Sequence, residues 1–139
     1  MRNVLCMLEL LSIFYIPDAS ACGHCVEDKM AAVYDFGVVS KAQVLHQHVA
    51  FVAIDGTISG DAMTQRAIAD MVRTAEGVDR ASVRVSLELA ALSFAFDPRR
   101  TSFASIPRSV GKQLSRFGLR VSEIKILDGS TRRQATAIP

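Results

Sequence analysis

Six consecutive apolar residues, Val49-Ala50-Phe51-Val52-Ala53-Ile54, constrain the fold of this chain more than any other stretch. The run shows no alternation of apolar and polar positions, so it reads as a strand covered on both faces. Such a strand belongs at the centre of a sheet with packed material on each side. His46-Gln47-His48 leads into it and Asp55-Gly56 ends it.

The periodicities around this strand set the order of the other elements. Upstream, Val26, Met30, Val33 and Gly37 share one face of a predicted helix that starts at Cys25, with Glu27 and Asp28 in its first turn, where the helix dipole favours negative charge. Downstream, Ser59-Gly60-Asp61 supplies capping residues for a helix with Ile68, Met71, Val72 and Ala75 on one stripe, closed by Gly77. Val83, Val85, Leu87 and Leu89 then alternate with polar residues, and Leu92, Phe94 and Phe96 with Ser93, Ala95 and Asp97, which predicts a hairpin with a very short connection. Ser105 is the expected cap of a further helix with Pro107 in its first turn and Ile106, Val110, Leu114 and Phe117 inward, closed by Gly118. A last strand is expected from Val121 to Leu127 with Ile124 and Ile126 inward.

This order, strand-helix-strand-strand-helix-strand, predicts an α+β protein. The expected fold is a ferredoxin-like βαββαβ sandwich, a four-stranded antiparallel sheet with two helices, preceded by an extra N-terminal helix. That helix is the natural cover for the second face of the doubly apolar strand. It would bring Cys22 and Cys25 near one sheet end.

The stretch from about Val49 to Leu127 resembles the heavy-metal-associated domain of copper chaperones and metal-pumping ATPases. The resemblance rests on the element order, on Glu76-Gly77-Val78 before the second strand, on Phe96-Asp97-Pro98 after the third, and on Phe117-Gly118-Leu119 before the fourth. It implies metal binding through a Met-x-Cys-x-x-Cys loop between the first strand and its helix. Here Thr57 stands in place of the methionine, and Ser59 and Ala62 in place of the cysteines. A serine hydroxyl does not replace a soft thiolate, so the resemblance carries over the fold and docking against a similar domain rather than that metal site.

The cysteines lie elsewhere. Met1-Arg2, the apolar stretch Val4–Ile16 and Ala19-Ser20-Ala21 read as a secretory signal peptide, residues 1–21, cleaved after Ala21. The alternatives are an amphipathic or buried N-terminal helix and a lipoprotein lipidated on Cys22. Cleavage would remove Cys6, leave 118 of the 139 residues with 15 Lys and Arg against 12 Asp and Glu, and make Cys22 the amino terminus of a periplasmic or secreted protein. The expected organisation is then residues 22–45 as an N-terminal helix carrying Cys22-Gly23-His24-Cys25, 46–127 as the ferredoxin-like domain, and 128–139 as a polar tail.

Three readings of Cys22-Gly23-His24-Cys25 stay open. As a metal site, Cys22 and Cys25 give sulfur and His24 gives nitrogen for copper or another soft or borderline ion, zinc included. A free amine at Cys22, two amides and the His24 imidazole would also make a planar nitrogen set suited to Cu(II) or Ni(II). His46 and His48 are candidate extra ligands, set against solvent-facing histidines before a strand. As a redox pair, the tetrapeptide equals the active-site motif of disulfide isomerases but lacks the preceding strand of a thioredoxin fold. As a structural disulfide, it would leave a non-catalytic adaptor that uses its sheet to contact another protein.

Other chemistries find little support. The small positive surplus, with its concentrated spots at Arg99-Arg100 and Arg132-Arg133, is no nucleic-acid footprint, and tryptophan is absent. No later segment reaches the roughly 20 apolar residues of a spanning helix. Asp55, Asp61 and Asp70 have no partner histidine at a telling spacing, Ser59 lacks a nucleophile elbow, and Met30, Met63 and Met71 read as helix residues rather than ligands. The expectation is a binding protein, not an enzyme. Its partners would be a metal ion and another metal-handling protein.

Overall fold

Residues 26–129 are described by the computed structural model of the chain. Where one N-terminal helix is expected there are two, α1 (Val26–Val33) and α2 (Phe36–Val44). The break falls at Asp35, whose backbone is extended and whose carboxylate accepts a 3.1 Å hydrogen bond from the Val38 amide. An Asx cap satisfies an orphan donor and so starts a new helix instead of continuing the old one. Gly37, expected on the face of Met30 and Val33, is exposed as a result.

The remaining elements are β1 (His48–Asp55), α3 (Ala62–Arg73), β2 (Arg84–Ser86), β3 (Ala91–Phe96), α4 (Ser105–Leu114) and β4 (Arg120–Leu127). The strands form one antiparallel sheet in the order β2-β3-β1-β4, so the protein is α+β with β1 and β3 central. Helices lie on both faces. α3 and α4 pack Ile68, Val72, Ile106, Val110 and Leu114 onto Ala50, Val52, Ile54, Leu92, Phe94 and Phe96. α1 and α2 pack Val33, Val39 and Ala42 onto Val49, Phe51, Ala91 and Ala95. The doubly apolar β1 therefore has a buried side chain at every position from Val49 to Ile54.

Several expectations need correction. β2 is three residues long, not a strand reaching Leu89. It is shortened at its start by a 3-10 turn, Arg80–Ser82, capped by Asp79. There the Ser82 hydroxyl, not a backbone carbonyl, accepts the Ala95 amide at 2.7 Å. Leu87 to Ala90 form the hairpin connection, with Ala90 at φ 48°. α3 stops at Arg73, and Gly77, with φ 81°, serves the turn beyond it. Ser105 is the first residue of α4 and caps no amide; its hydroxyl donates to the Ser102 carbonyl at 2.7 Å. Phe117 is 65% exposed rather than inward, because a 3-10 turn, Ser115–Phe117, rotates it out of the α4 stripe.

Ile124 and Ile126, expected on one face, point to opposite clusters: Ile124 packs with α1 and α2, Ile126 with α3 and α4. A bulge is the cause. Phe51 pairs with Lys125 but its neighbour Val52 pairs with Glu123, leaving Ile124 as the additional residue. One inserted residue reverses the alternation beyond it.

Candidate functional site

The loop that joins β1 to α3 is the position at which the resembled family would hold a soft metal. Gly56 opens it at φ 130°, and a Cβ there would lie 2.8 Å from the Gly118 carbonyl oxygen. That close approach sets the loop against the turn entering β4. Ser59 donates its hydroxyl proton to the Asp61 carboxylate, which also accepts the Thr64 amide and hydroxyl at 2.8 Å each. These bonds, the Ser59 hydroxyl first, hold the Asp61 carboxyl far below the usual carboxylate range. Ser59 is thus committed to a helix cap, and Ala62 is the first residue of α3 with no donor atom. The residues here do not fit a soft metal ion, and no step through one is derived at this loop.

What the loop does build is an apolar groove of about 370 Å³ between α3 and the turn before β4. Ile58, Met63, Ala67, Met71, Phe117 and Leu119 line it, together with Thr57, Ser59 and Thr64. Met63 is 81% exposed, and Phe117, which also lines the groove, is exposed as well. The groove can take an apolar group. The Ser59 and Thr64 hydroxyls that border it are both engaged by the Asp61 carboxylate.

At the opposite end of the sheet lies a polar hollow of about 380 Å³ bordered by Gln47, Glu76, Asp79, Arg80, Asp97 and Arg100. Lys41 at 2.8 Å lowers the Asp79 pKa, helped by the Ala81 amide. Arg99, through its side chain and then its amide, lowers that of Asp97. Both carboxylates are therefore engaged in ion pairs, and the Arg99 side chain stays largely exposed.

Cys22, His24 and Cys25 lie outside the described residues, as do Cys6 and Arg132-Arg133. His46 and His48 do not share a strand face. His46 sits in the turn after α2 at φ 54°, whereas His48 opens β1, 3.3 Å from Asp128 and edge-on to the Phe96 ring at 5.6 Å. Among the described residues, no group of three or more His, Cys, Asp or Glu side chains converges as a metal site would need. Asp55 accepts from Ser122 and Asp70 pairs with Arg73, so the three aspartates picked out by sequence proximity serve separate local bonds.

One cluster escapes the sequence reading altogether. Arg108, Lys112 and Arg116 recur every fourth residue along α4 and the turn after it, and all are exposed. The signal was present as spacing rather than as adjacency, which is why Arg99-Arg100 drew notice instead. Among the described residues no helix is long and apolar enough to cross a membrane. Set against known proteins, the chain matches no family model and no curated protein sequence.

Proposed function

We propose that this protein is an exported, non-enzymatic carrier of a soft or borderline metal ion, copper above all, bound by Cys22, His24 and Cys25 rather than by the loop after β1. The observation that carries the reading is the chemistry of that loop. Ser59 and Asp61 close it as a helix cap, and the only thiols of the chain precede α1. α1 follows Cys25 directly and is fastened to the sheet through Val33, so a ligand set there would be tethered to a rigid support. The scaffold is read as ferredoxin-like of the heavy-metal-associated type: α3 joins β1 to β2 and α4 joins β3 to β4 around the order β2-β3-β1-β4, which supports it. Paired thiolates suit hand-over to a partner, since incoming thiols replace them one at a time.

The test is native and denaturing mass of the exported protein, wild type against C22S/C25S. A chain starting at Cys22, with metal held natively by the wild type and lost in the variant, is the expected result. A wild-type chain two hydrogens light with no metal overturns it. That outcome would favour the second reading, an adaptor with a Cys22–Cys25 disulfide, for which the exposed apolar groove beside Met63 and Phe117 speaks.

A further inference from the structure

We propose that the outer face of the α3–α4 layer is a docking surface for an anionic lipid bilayer. Residues 98–122 contain Arg99, which pairs with Asp97, and five further cations, Arg100, Arg108, Lys112, Arg116 and Arg120, with no carboxylate among them. Within α4, Ile106, Val110 and Leu114 repeat every fourth residue on the buried side. Arg108 and Lys112 repeat with the same period two residues later, which puts them opposite the core, and Arg116 is exposed in the 3-10 turn that follows. Among the described residues none of the three forms an ion pair. Like charges four apart destabilise a helix, and α4 has no acidic residue to relieve them. A surface of opposite charge would.

α3 extends the same face. Arg66 is exposed and forms no ion pair among the described residues, while Asp70 and Arg73 neutralise each other at 2.9 Å. Met63, 81% exposed, and Phe117 accompany these cations; Phe36 and Val44 are as exposed on the α2 side, so it is the cations that single this face out. Dispersed cations with apolar prongs are the signature of a protein that lies on a membrane interface. On the other face of the sheet α1 and α2 with the Asp35 cap carry Glu27, Asp28 and Asp35 against Lys29 and Lys41, so that side has no cationic surplus. That polarity would turn the α3–α4 side toward an anionic surface. A bilayer fits better than an acidic protein because its mobile phosphates meet spread cations without register, whereas a protein needs carboxylates placed to match.

The experiment is flotation of the protein, as isolated from cells, with phosphatidylglycerol vesicles, with phosphatidylcholine vesicles and with soluble polyglutamate, at low and high salt. Uptake on phosphatidylcholine reports any contribution from an apolar leader. Expected is a preference for phosphatidylglycerol of at least about tenfold that salt abolishes, reduced roughly 100-fold by R108E/K112E/R116E. The charge-matched control K29E/R80E/K125E, which leaves the proposed face untouched, should keep most of the binding, and F117S should weaken it with circular dichroism unchanged. Equal loss in both triple variants would assign the effect to net charge and overturn the proposal. So would binding to polyglutamate without vesicle preference, which would point to an acidic protein instead.

Discussion

The Ser93 hydroxyl donates a 2.6 Å hydrogen bond to the Val33 carbonyl, across 60 residues of sequence and out of contact with solvent. It joins the end of α1 to the central strand β3. α1 has eight residues, too few to be a stable helix alone, so its order depends on this kind of tertiary tie.

Ser93→Ala should therefore lower stability by about 1–3 kcal/mol, because it leaves a buried carbonyl without a donor. Urea unfolding of wild type and variant checks this. A loss below about 0.5 kcal/mol would show that the carbonyl finds another partner. Hydrogen exchange should place the loosening in α1 and not in α3.

Acid should release the same helical pair. Arg84 reaches Asp35 at 2.9 Å and Lys41 reaches Asp79 at 2.8 Å, tying α2 to the β2 side of the sheet. The Val38 amide and then Arg84 lower the Asp35 pKa; the Lys41 ammonium is the chief cause for Asp79. A carboxyl depressed in the folded state contributes stability that is present above its unfolded pKa, near 3.9, and is lost as pH falls through the lower folded value. Stability should be flat at neutral pH and fall below about pH 4, with D35N/D79N showing a shallower acid slope. Equal acid slopes in the two proteins would rule these ties out as the origin.

Gly56→Ala should destabilise by more than about 1 kcal/mol, since φ 130° is open to glycine alone and the new Cβ would press on the Gly118 carbonyl. Gly60→Ala in the same loop, where nothing lies within 4 Å of the added atom, is the comparison expected to stay near wild type. Thermal melts of both variants decide the matter.

His46→Gly should stabilise by up to about 1 kcal/mol, because a β-carbon is strained at φ 54°. Under the proposed function it should also leave the metal content unchanged, since His46 and His48 do not share a strand face. Loss of metal in His46→Gly, measured by native mass, would bring His46 into the ligand set.

Much of the architecture was legible in the residues. Val49–Ile54 demanded a central strand covered twice, and α1 with α2 supply the second cover. The stripes of α3 and α4 gave their buried faces, Ile68 and Val72 on one, Ile106, Val110 and Leu114 on the other. The break at Asp35 was not foreseen, because an Asx residue inside an apolar stripe caps a helix only when packing fixes its backbone. The short β2 escaped for a similar reason: alternation records which side chains face a core, not whether the backbone finds a ladder partner. The candidate groove was invisible in sequence, since Ile58, Met63 and Phe117 meet only through the close approach of Gly56 to Gly118.

The sequence by itself determined the order of strands and helices from β1 to β4, the double burial of β1, the absence of thiols at the loop after it, and the position of Cys22-Gly23-His24-Cys25 ahead of α1. These follow from residue type and local period, which no later contact changes. Tertiary structure alone decided that Ile124 and Ile126 part company at a bulge, that His46 and His48 lie on different elements, and that Arg108, Lys112 and Arg116 join Arg66, Met63 and Phe117 on one side of the sheet. Register and side-by-side helix packing depend on the closure of the whole core, and no window of sequence contains them.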